Sequence, residues 1–155
     1  MRCTLALAVL LLPGAATAQT SFYTELRGET CTITQVHQEF QCPAPPGFGV
    51  RLNVGGRSEV LTLRLSPRSV FNVAPPQAEV MPGQTGAGDR LEWRADAPRA
   101  RPYALIMRRT EDRRSRLEVY RVGTERLCWL GTASGADANA RARSIADQGR
   151  NTPCG

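Results

Sequence analysis

Lysine is absent from the sequence, and histidine occurs once, at His37. All 20 basic residues are therefore arginine. Because alanine, glycine and proline are abundant, we interpret the missing lysine as a coding bias rather than as chemistry. A mechanism that depends on histidine would have to use His37, which lies where the first predicted hairpin turns. A histidine at that place is more typical of a solvated turn than of a general base.

Motifs that carry common chemistries are also absent. The sequence has no zinc-protease H-E-x-x-H, no G-x-S-x-G elbow, no P-loop and no dinucleotide-binding glycine pattern. Its cysteines have no C-x-x-C spacing, which argues against a redox-active pair and, with one histidine, against a metal centre. We therefore expect no catalytic residue, no metal and no cofactor.

One carboxylate pair keeps an enzymatic alternative open. Glu118 and Glu125 could approach each other across a predicted hairpin, and two carboxylates can hydrolyse a glycosidic bond. Arginines lie beside both acids in the sequence, at positions 116, 121 and 126. Surface ion pairs are the simpler interpretation, and a carboxylate-based glycan hydrolase remains an alternative.

Long apolar runs are missing as well, and the first residues predict export. The apolar run at residues 5–12 is far shorter than the ~20 residues that span a bilayer, and no later segment is apolar enough. Arg2 precedes this run, and Ala16-Thr17-Ala18 follows it with the A-x-A pattern of a signal-peptidase site. The sequence therefore predicts a cleavable signal peptide at residues 1–18, cleavage near Ala18-Gln19, and a periplasmic or secreted protein.

The remaining residues, 19–155, have the length of a single domain. Four cysteines remain after cleavage, and an even number in an exported chain indicates two disulfides. They are Cys31, Cys42, Cys128 and Cys154. Three pairings are possible, and the predicted strand layout favours Cys31–Cys42 and Cys128–Cys154. Each closed loop should contribute ~3 kcal/mol of stability.

Alternation of apolar and polar residues dominates the middle of the chain and predicts strands. The clearest hairpin runs over residues 48–54 and 57–65 and turns at Gly55-Gly56. In the register that this turn favours, Val50 faces Leu61. Further strands are predicted at 31–35, 39–42, 70–74, 91–94, 103–109, 116–122 and 126–130, the last three as a meander. Closely spaced strands of this kind are typical of an antiparallel sandwich or a small barrel.

One helix is predicted near the C-terminus, at about residues 135–148. Ser134 and Asp137 have the spacing of a capping box, and Gly149 lies where a left-handed C-cap would. A stripe of small residues suits close packing on a sheet: Ala138, Ala142, Ile145 and Ala146. Two opposite-charge pairs are expected on the outer surface: Asp137–Arg141 and Arg143–Asp147.

This last third of the chain resembles the ending of small exported bacterial proteins of unassigned function. Three segments carry the resemblance: Tyr103-Ala104-Leu105-Ile106, Cys128-Trp129, and the Ala/Arg-rich run at 138–147 closed by Cys154. The resemblance implies an exported compartment and a helix between two cysteines. It carries over no functional residue.

An arginine-rich hairpin tip at residues 108–116 is the candidate binding site. Its arginines are Arg108, Arg109, Arg113, Arg114 and Arg116, which could grip carboxylate or phosphate groups; the alternative is a solvated loop neutralised by Glu111 and Asp112. Trp93 and Trp129 are predicted to lie in the core. We expect a non-enzymatic binding or inhibitory module, with a cell-envelope polyanion binder as the alternative. The partner would be an envelope protein or an anionic envelope polymer, and the missing aromatic interleaving makes nucleic acid a poor candidate.

Overall fold

The structure is a computed structural model that describes residues 19–26, 29–35, 39–55, 58–66, 69–72, 87–111 and 114–153. These residues form two five-stranded antiparallel sheets and one helix. The strands are β1 (Thr20–Glu25), β2 (Thr32–Gln35), β3 (Glu39–Cys42), β4 (Gly49–Gly55), β5 (Ser58–Ser66), β6 (Ser69–Asn72), β7 (Ala87–Ala95), β8 (Ala104–Glu111), β9 (Arg114–Val122) and β10 (Leu127–Ala133). Helix α1 (Ala138–Gln148) follows, and a 3-10 turn (Gly149–Asn151) continues it.

The two sheets differ in how the chain builds them. Sheet B has the order β2-β3-β4-β5-β6, which is the order along the chain. Sheet A has the order β1-β7-β8-β9-β10, so the segment that forms sheet B lies between two neighbouring strands of sheet A. The predicted meander of the last three strands is confirmed as β8, β9 and β10.

Apolar residues of both sheets form one buried cluster, which gives the sheets a sandwich-like packing. Sheet B contributes Val50, Leu61 and Leu63, and sheet A contributes Leu91 and Trp93. These side chains recur at every second position of their strands, which is the pattern that buries one face of a sheet. The predicted mainly β fold with one C-terminal helix is confirmed.

Helix α1 covers the opposite face of sheet A. Its buried residues are Ala138, Ala142 and Ala146, as the stripe of small residues predicts. They pack on side chains of β8, β9 and β10, among them Ile106 and Val119. Sheet A is therefore covered on both of its faces, by sheet B and by the helix.

The predicted register of the hairpin at residues 48–65 is wrong by two residues. Val50 lies opposite Leu63, not Leu61, and Leu61 lies opposite Leu52. The cause is the turn, because Gly55 itself pairs with Ser58 and the strands continue through the first glycine. A shift of two residues leaves every side chain on its predicted face, so the predicted core residues remain correct.

The first predicted disulfide is confirmed. Cys31 and Cys42 are bonded, with their Cα atoms 4.1 Å apart, and Ile33 lies opposite Phe40 as predicted. Ile33 is exposed, because β2 is an edge strand of sheet B. The predicted link from Cys128 to Cys154 stays a prediction, since residues 154–155 lie outside the described residues.

The helix ends at Gln148 as predicted, but its start and both predicted caps need correction. The helix begins at Ala138 with Asp137 as N-cap and no side-chain capping bond, so the Ser134 capping box is not formed. Gly149 has a φ of −77° and is not a left-handed cap. A side chain there would meet Leu130, because a Cβ on Gly149 would lie 2.6 Å from Leu130 Cδ1. Close approach of the helix end to β10 is therefore the physical reason for this glycine.

The two tryptophans have different environments. Trp93 is fully buried as predicted, and its ring packs 5.4 Å from Phe48. Trp129 is 55% exposed, so its predicted place in the core was wrong. It lies on β10, an edge strand, where one side of the ring has no neighbouring strand, and its ring packs edge-on against Tyr120.

Candidate functional site

Strand structure extends further into the predicted arginine loop than the sequence predicts. Strands β8 and β9 extend to either side of residues 112–113, which lie outside the described residues and include Arg113. Arg108 and Arg114 are exposed. Arg108 Nη1 donates a hydrogen bond to Ser115 Oγ at 2.8 Å, which links the two strands at the tip. These two arginines have the exposure that an anion site needs.

A buried carboxylate holds two other arginines of this hairpin. Glu118 is 2% exposed and accepts hydrogen bonds from Arg109 Nη1 at 3.4 Å and from Arg116 Nε at 3.2 Å. The Tyr120 hydroxyl donates to Glu118 Oε2 at 2.9 Å. The pKa of Tyr120 is raised above its ordinary value, mainly by burial and secondly by the negative charge of Glu118. Arg109 and Arg116 therefore neutralise a buried charge of the fold.

The carboxylate pair of the hydrolase alternative is not brought together. Glu118 lies four residues before Val122, the end of β9, which is ~13 Å along an extended strand. Glu125 is exposed in the turn beyond that end. The predicted ion pair of Glu118 with Arg116 is present, but its carboxylate is buried instead of lying on the surface.

A second buried charge cluster joins the end of helix α1 to sheet A. Arg94 Nη2 donates to Asp147 Oδ2 at 2.8 Å and Arg94 Nε to Asp147 Oδ1 at 3.1 Å, a bidentate pair in which the Arg94 side chain is 8% exposed. The Tyr103 hydroxyl donates to Asp147 Oδ1 at 2.6 Å. The pKa of Tyr103 is raised from 10.0 to about 12, mainly by burial and secondly by this hydrogen bond.

A second ion pair, Arg143 with Glu92, joins the same face of helix α1 to sheet A. Arg143 Nε donates to Glu92 Oε1 at 2.7 Å, and Arg143 Nη2 donates to the Tyr23 hydroxyl at 3.0 Å. The hydrogen bond to Glu92 raises the pKa of Arg143. The predicted surface pair Arg143–Asp147 is therefore wrong, because each residue binds a side chain of β7.

An apolar pocket opens between the first strand of sheet A and a proline-rich loop of sheet B. Its volume is about 220 Å³. It is lined by Phe22, Tyr23, Thr24, Pro43, Ala44, Pro45, Pro46, Trp93 and Arg99. The indole N–H of Trp93 donates to Thr24 Oγ1 at 3.0 Å, so the polar atom of this ring is already satisfied. The pocket therefore offers apolar and aromatic surface with few polar groups.

Arg99 is the charged residue in the lining of this pocket. Arg99, which lines it, is exposed and has a left-handed backbone with a φ of 67°. Non-glycine residues adopt that conformation at an energetic cost, and such residues concentrate at functional sites. Arg90, which stacks over the ring of Tyr23 at 5.1 Å, is paired with Glu25 at 3.1 Å and does not line the pocket. The combination is a small apolar cavity with a cationic edge.

The described residues contain no cluster of three or more histidine, cysteine or acidic side chains that could hold a metal ion. Within the same part of the chain, no helix is both long and apolar enough to cross a membrane. No protein-family model, curated protein or solved structure matches the chain.

Sequence reasoning missed the pocket because three distant segments form it. Strand β1 was not predicted, although Phe22, Thr24 and Leu26 alternate with more exposed residues. The run Pro43-Ala44-Pro45-Pro46 is visible in the sequence, but nothing local indicates that it faces β1. Arg99 joins them from the β7–β8 loop. The predicted arginine loop lies at the opposite end of β8, so the two candidate sites are separate.

Proposed function

We propose that the protein is an exported, non-enzymatic binding module whose pocket takes up one apolar side chain of a protein partner. The observation that carries this proposal is the pocket between Phe22, Trp93 and the proline-rich loop. Its volume of about 220 Å³ is smaller than the roughly 300–1,000 Å³ of typical small-molecule sites. A single side chain is the size of group that fits it.

Physical chemistry of interfaces supports a protein partner. A few apolar anchors that fill pockets supply most of the binding energy of an interface, and weaker contacts around them exclude water. Phe22 lines the pocket and is half-buried, so apolar surface of the pocket remains accessible to a partner. Aromatic and proline side chains are also stiff, and stiff walls lose little entropy when a partner binds.

A pocket-filling substitution tests this function. Ala44→Trp should leave the fold intact and abolish partner binding, because the indole occupies the cavity that Ala44 lines. Ala136→Trp, in the exposed turn before α1, is the matched control. Each mature protein would be immobilised and exposed to envelope extract, with bound proteins identified by mass spectrometry and folding checked by thermal melting. A protein retained by wild type and Ala136→Trp but lost by Ala44→Trp supports the proposal, and identical captures by all three exclude it.

Export is part of the same proposal, and it has its own test. The signal-like residues 1–18 support it. Intact mass of the protein recovered from the periplasm or the medium should correspond to a chain that begins at Gln19. A cytoplasmic product that retains Met1 would contradict export.

A second candidate function, binding of an envelope polyanion, is favoured by the exposure of Arg108 and Arg114 at the hairpin tip. Fewer arginines are available for it than the sequence predicts, because Arg109 and Arg116 are bound to Glu118. Retention of an anionic polymer that weakens as salt rises would favour this function over the pocket.

A further inference from the structure

A shallow basin with a positive charge lies at the same end of sheet A as the pocket. Arg101, Arg121, Arg126 and Glu125 line it, together with the turn after β9, so three arginines outnumber one glutamate. Arg101 Nη2 donates to the Gly123 carbonyl at 3.1 Å, which fixes the guanidinium over the turn. A guanidinium has five N–H donors, so this single bond leaves most of the Arg101 donors for another acceptor.

The basin and the pocket are neighbours. The Arg101 guanidinium stacks over Phe48 at 4.9 Å, and the Phe48 ring lies 5.4 Å from Trp93, which lines the pocket. One aromatic ring therefore separates the cation from the pocket lining. Arg99, on the edge of the pocket, precedes Arg101 by two residues in the β7–β8 loop, so this loop carries a cation to each site.

The acid closest in sequence to these arginines does not neutralise them. Asp96 begins the β7–β8 loop, and its Oδ2 accepts a hydrogen bond from Arg150, which follows helix α1. Arg150 also stacks over Tyr103. Because Asp96 is engaged by Arg150, the positive charge of Arg99 and Arg101 remains directed at solvent beside the pocket.

We infer that the partner presents an acidic polypeptide segment, whose apolar side chain enters the pocket while its carboxylates contact Arg99 and the basin. This inference rests on the pocket function proposed above and adds the charge of the partner. Charge complementarity selects the occupant, because guanidinium groups bind carboxylates through charge-assisted hydrogen bonds. Complementary charges also speed encounter and exclude partners of the wrong sign.

Three short fluorescent peptides test the inference. The first has a leucine flanked by glutamates, the second replaces the glutamates by glutamines, and the third keeps the glutamates but replaces the leucine by serine. Fluorescence anisotropy with the mature, disulfide-bonded protein should show that the first peptide binds about tenfold more tightly than the second at low salt. Raising the salt should remove this difference. The serine peptide should bind weakly at any salt.

Charge-matched variants locate the effect. Arg101→Gln with Arg126→Gln should remove the preference for glutamate and leave binding of the glutamine peptide unchanged. Arg108→Gln with Arg114→Gln removes the same charge from the opposite end of β8 and should change nothing. Because Arg101 stacks on Phe48, Arg126→Gln alone is a second variant that leaves this contact in place. Arg126 is exposed, and its substitution should reduce the preference for glutamate in the same direction but by less. An equal loss in both double variants would mean a general charge effect and would overturn the inference.

The remaining outcomes separate this inference from the pocket function. Equal binding of the glutamate and glutamine peptides, abolished by Ala44→Trp, would retain the pocket and overturn the acidic partner. Failure of both leucine peptides to bind at millimolar concentration would count against both proposals. Binding of dodecanoate without binding of either leucine peptide would overturn the polypeptide partner in favour of a small amphipathic anion.

Discussion

Replacing Asp147 by alanine is expected to lower the free energy of unfolding by about 3 kcal/mol, because removing one partner leaves a buried charge uncompensated. The charge left behind is Arg94, whose side chain is 8% exposed. Its other hydrogen bonds go to uncharged groups, Ser21 Oγ and Gln19 Oε1. In a domain of this size the loss corresponds to a fall of ~10 °C in melting temperature. Thermal and urea unfolding followed by circular dichroism measure it.

Asp137→Ala is the matched control, because it removes an aspartate from the same helix. Asp137 is exposed and makes no side-chain capping bond, so its loss should cost less than ~1 kcal/mol. Tyr103 supplies a second signal. Its pKa, raised to about 12, should fall in Asp147→Ala but stay above 10.0, since burial persists without the hydrogen bond. Equal melting temperatures for the two variants would contradict a structural role for the Arg94–Asp147 pair.

The raised pKa of Tyr103 also predicts how the stability of the fold changes at alkaline pH. The protonated phenol is the form that the fold stabilises, so its contribution is fully present below pH 10 and is lost as pH rises through about 12. Stability should therefore decline over this window in the wild-type protein.

Glu118→Gln is expected to cost about 3 kcal/mol, for a related reason on the other face of sheet A. The amide keeps the shape of the carboxylate but removes the charge that compensates Arg109, whose side chain is 13% exposed. The pKa of Tyr120 should fall in the same variant, because the neighbouring negative charge raises it. Thermal unfolding and ultraviolet titration of the tyrosines measure the two effects.

Glu125→Gln is the control for this substitution. Glu125 is exposed in the turn after β9, and surface substitutions of this kind usually change stability by less than ~0.5 kcal/mol. If Glu118→Gln were more stable than the wild type, burying the charged pair would cost more free energy than the attraction of its charges supplies, and the expected stabilising effect of Glu118 would be wrong.

Local alternation was enough to predict most of the strands. Leu61, Leu63 and Leu65 recur at every second position and are all buried, and the small-residue stripe of α1 is buried as predicted. Alternation could not show that sheet A has no free face. Glu92 and Arg94 occupy positions that a two-layer sandwich would leave in solvent, and they are buried because the helix covers them.

Charge pairs were the least predictable part of the fold. Within the helix, Arg143 and Asp147 have the spacing of an i,i+4 pair, and local reasoning assigns them to each other. Their observed partners, Glu92 and Arg94, lie about fifty residues earlier in the chain. The candidate pocket is similar, since its walls come from β1, the proline-rich loop and Arg99, and only tertiary structure brings these together.

The position of β1 has a consequence for the order of folding. Its residue Thr20 pairs with Ala95, and the whole of sheet B lies between them in the chain. Pairings along each meander join neighbouring strands, whereas closing the β1–β7 loop costs more conformational entropy. Contacts between distant segments also form more slowly. We therefore expect both meanders to form before β1 joins sheet A, so a folding intermediate that lacks this strand also lacks Phe22 and Thr24, two walls of the pocket. Under the proposed function, competence to bind then arises in the last step of folding.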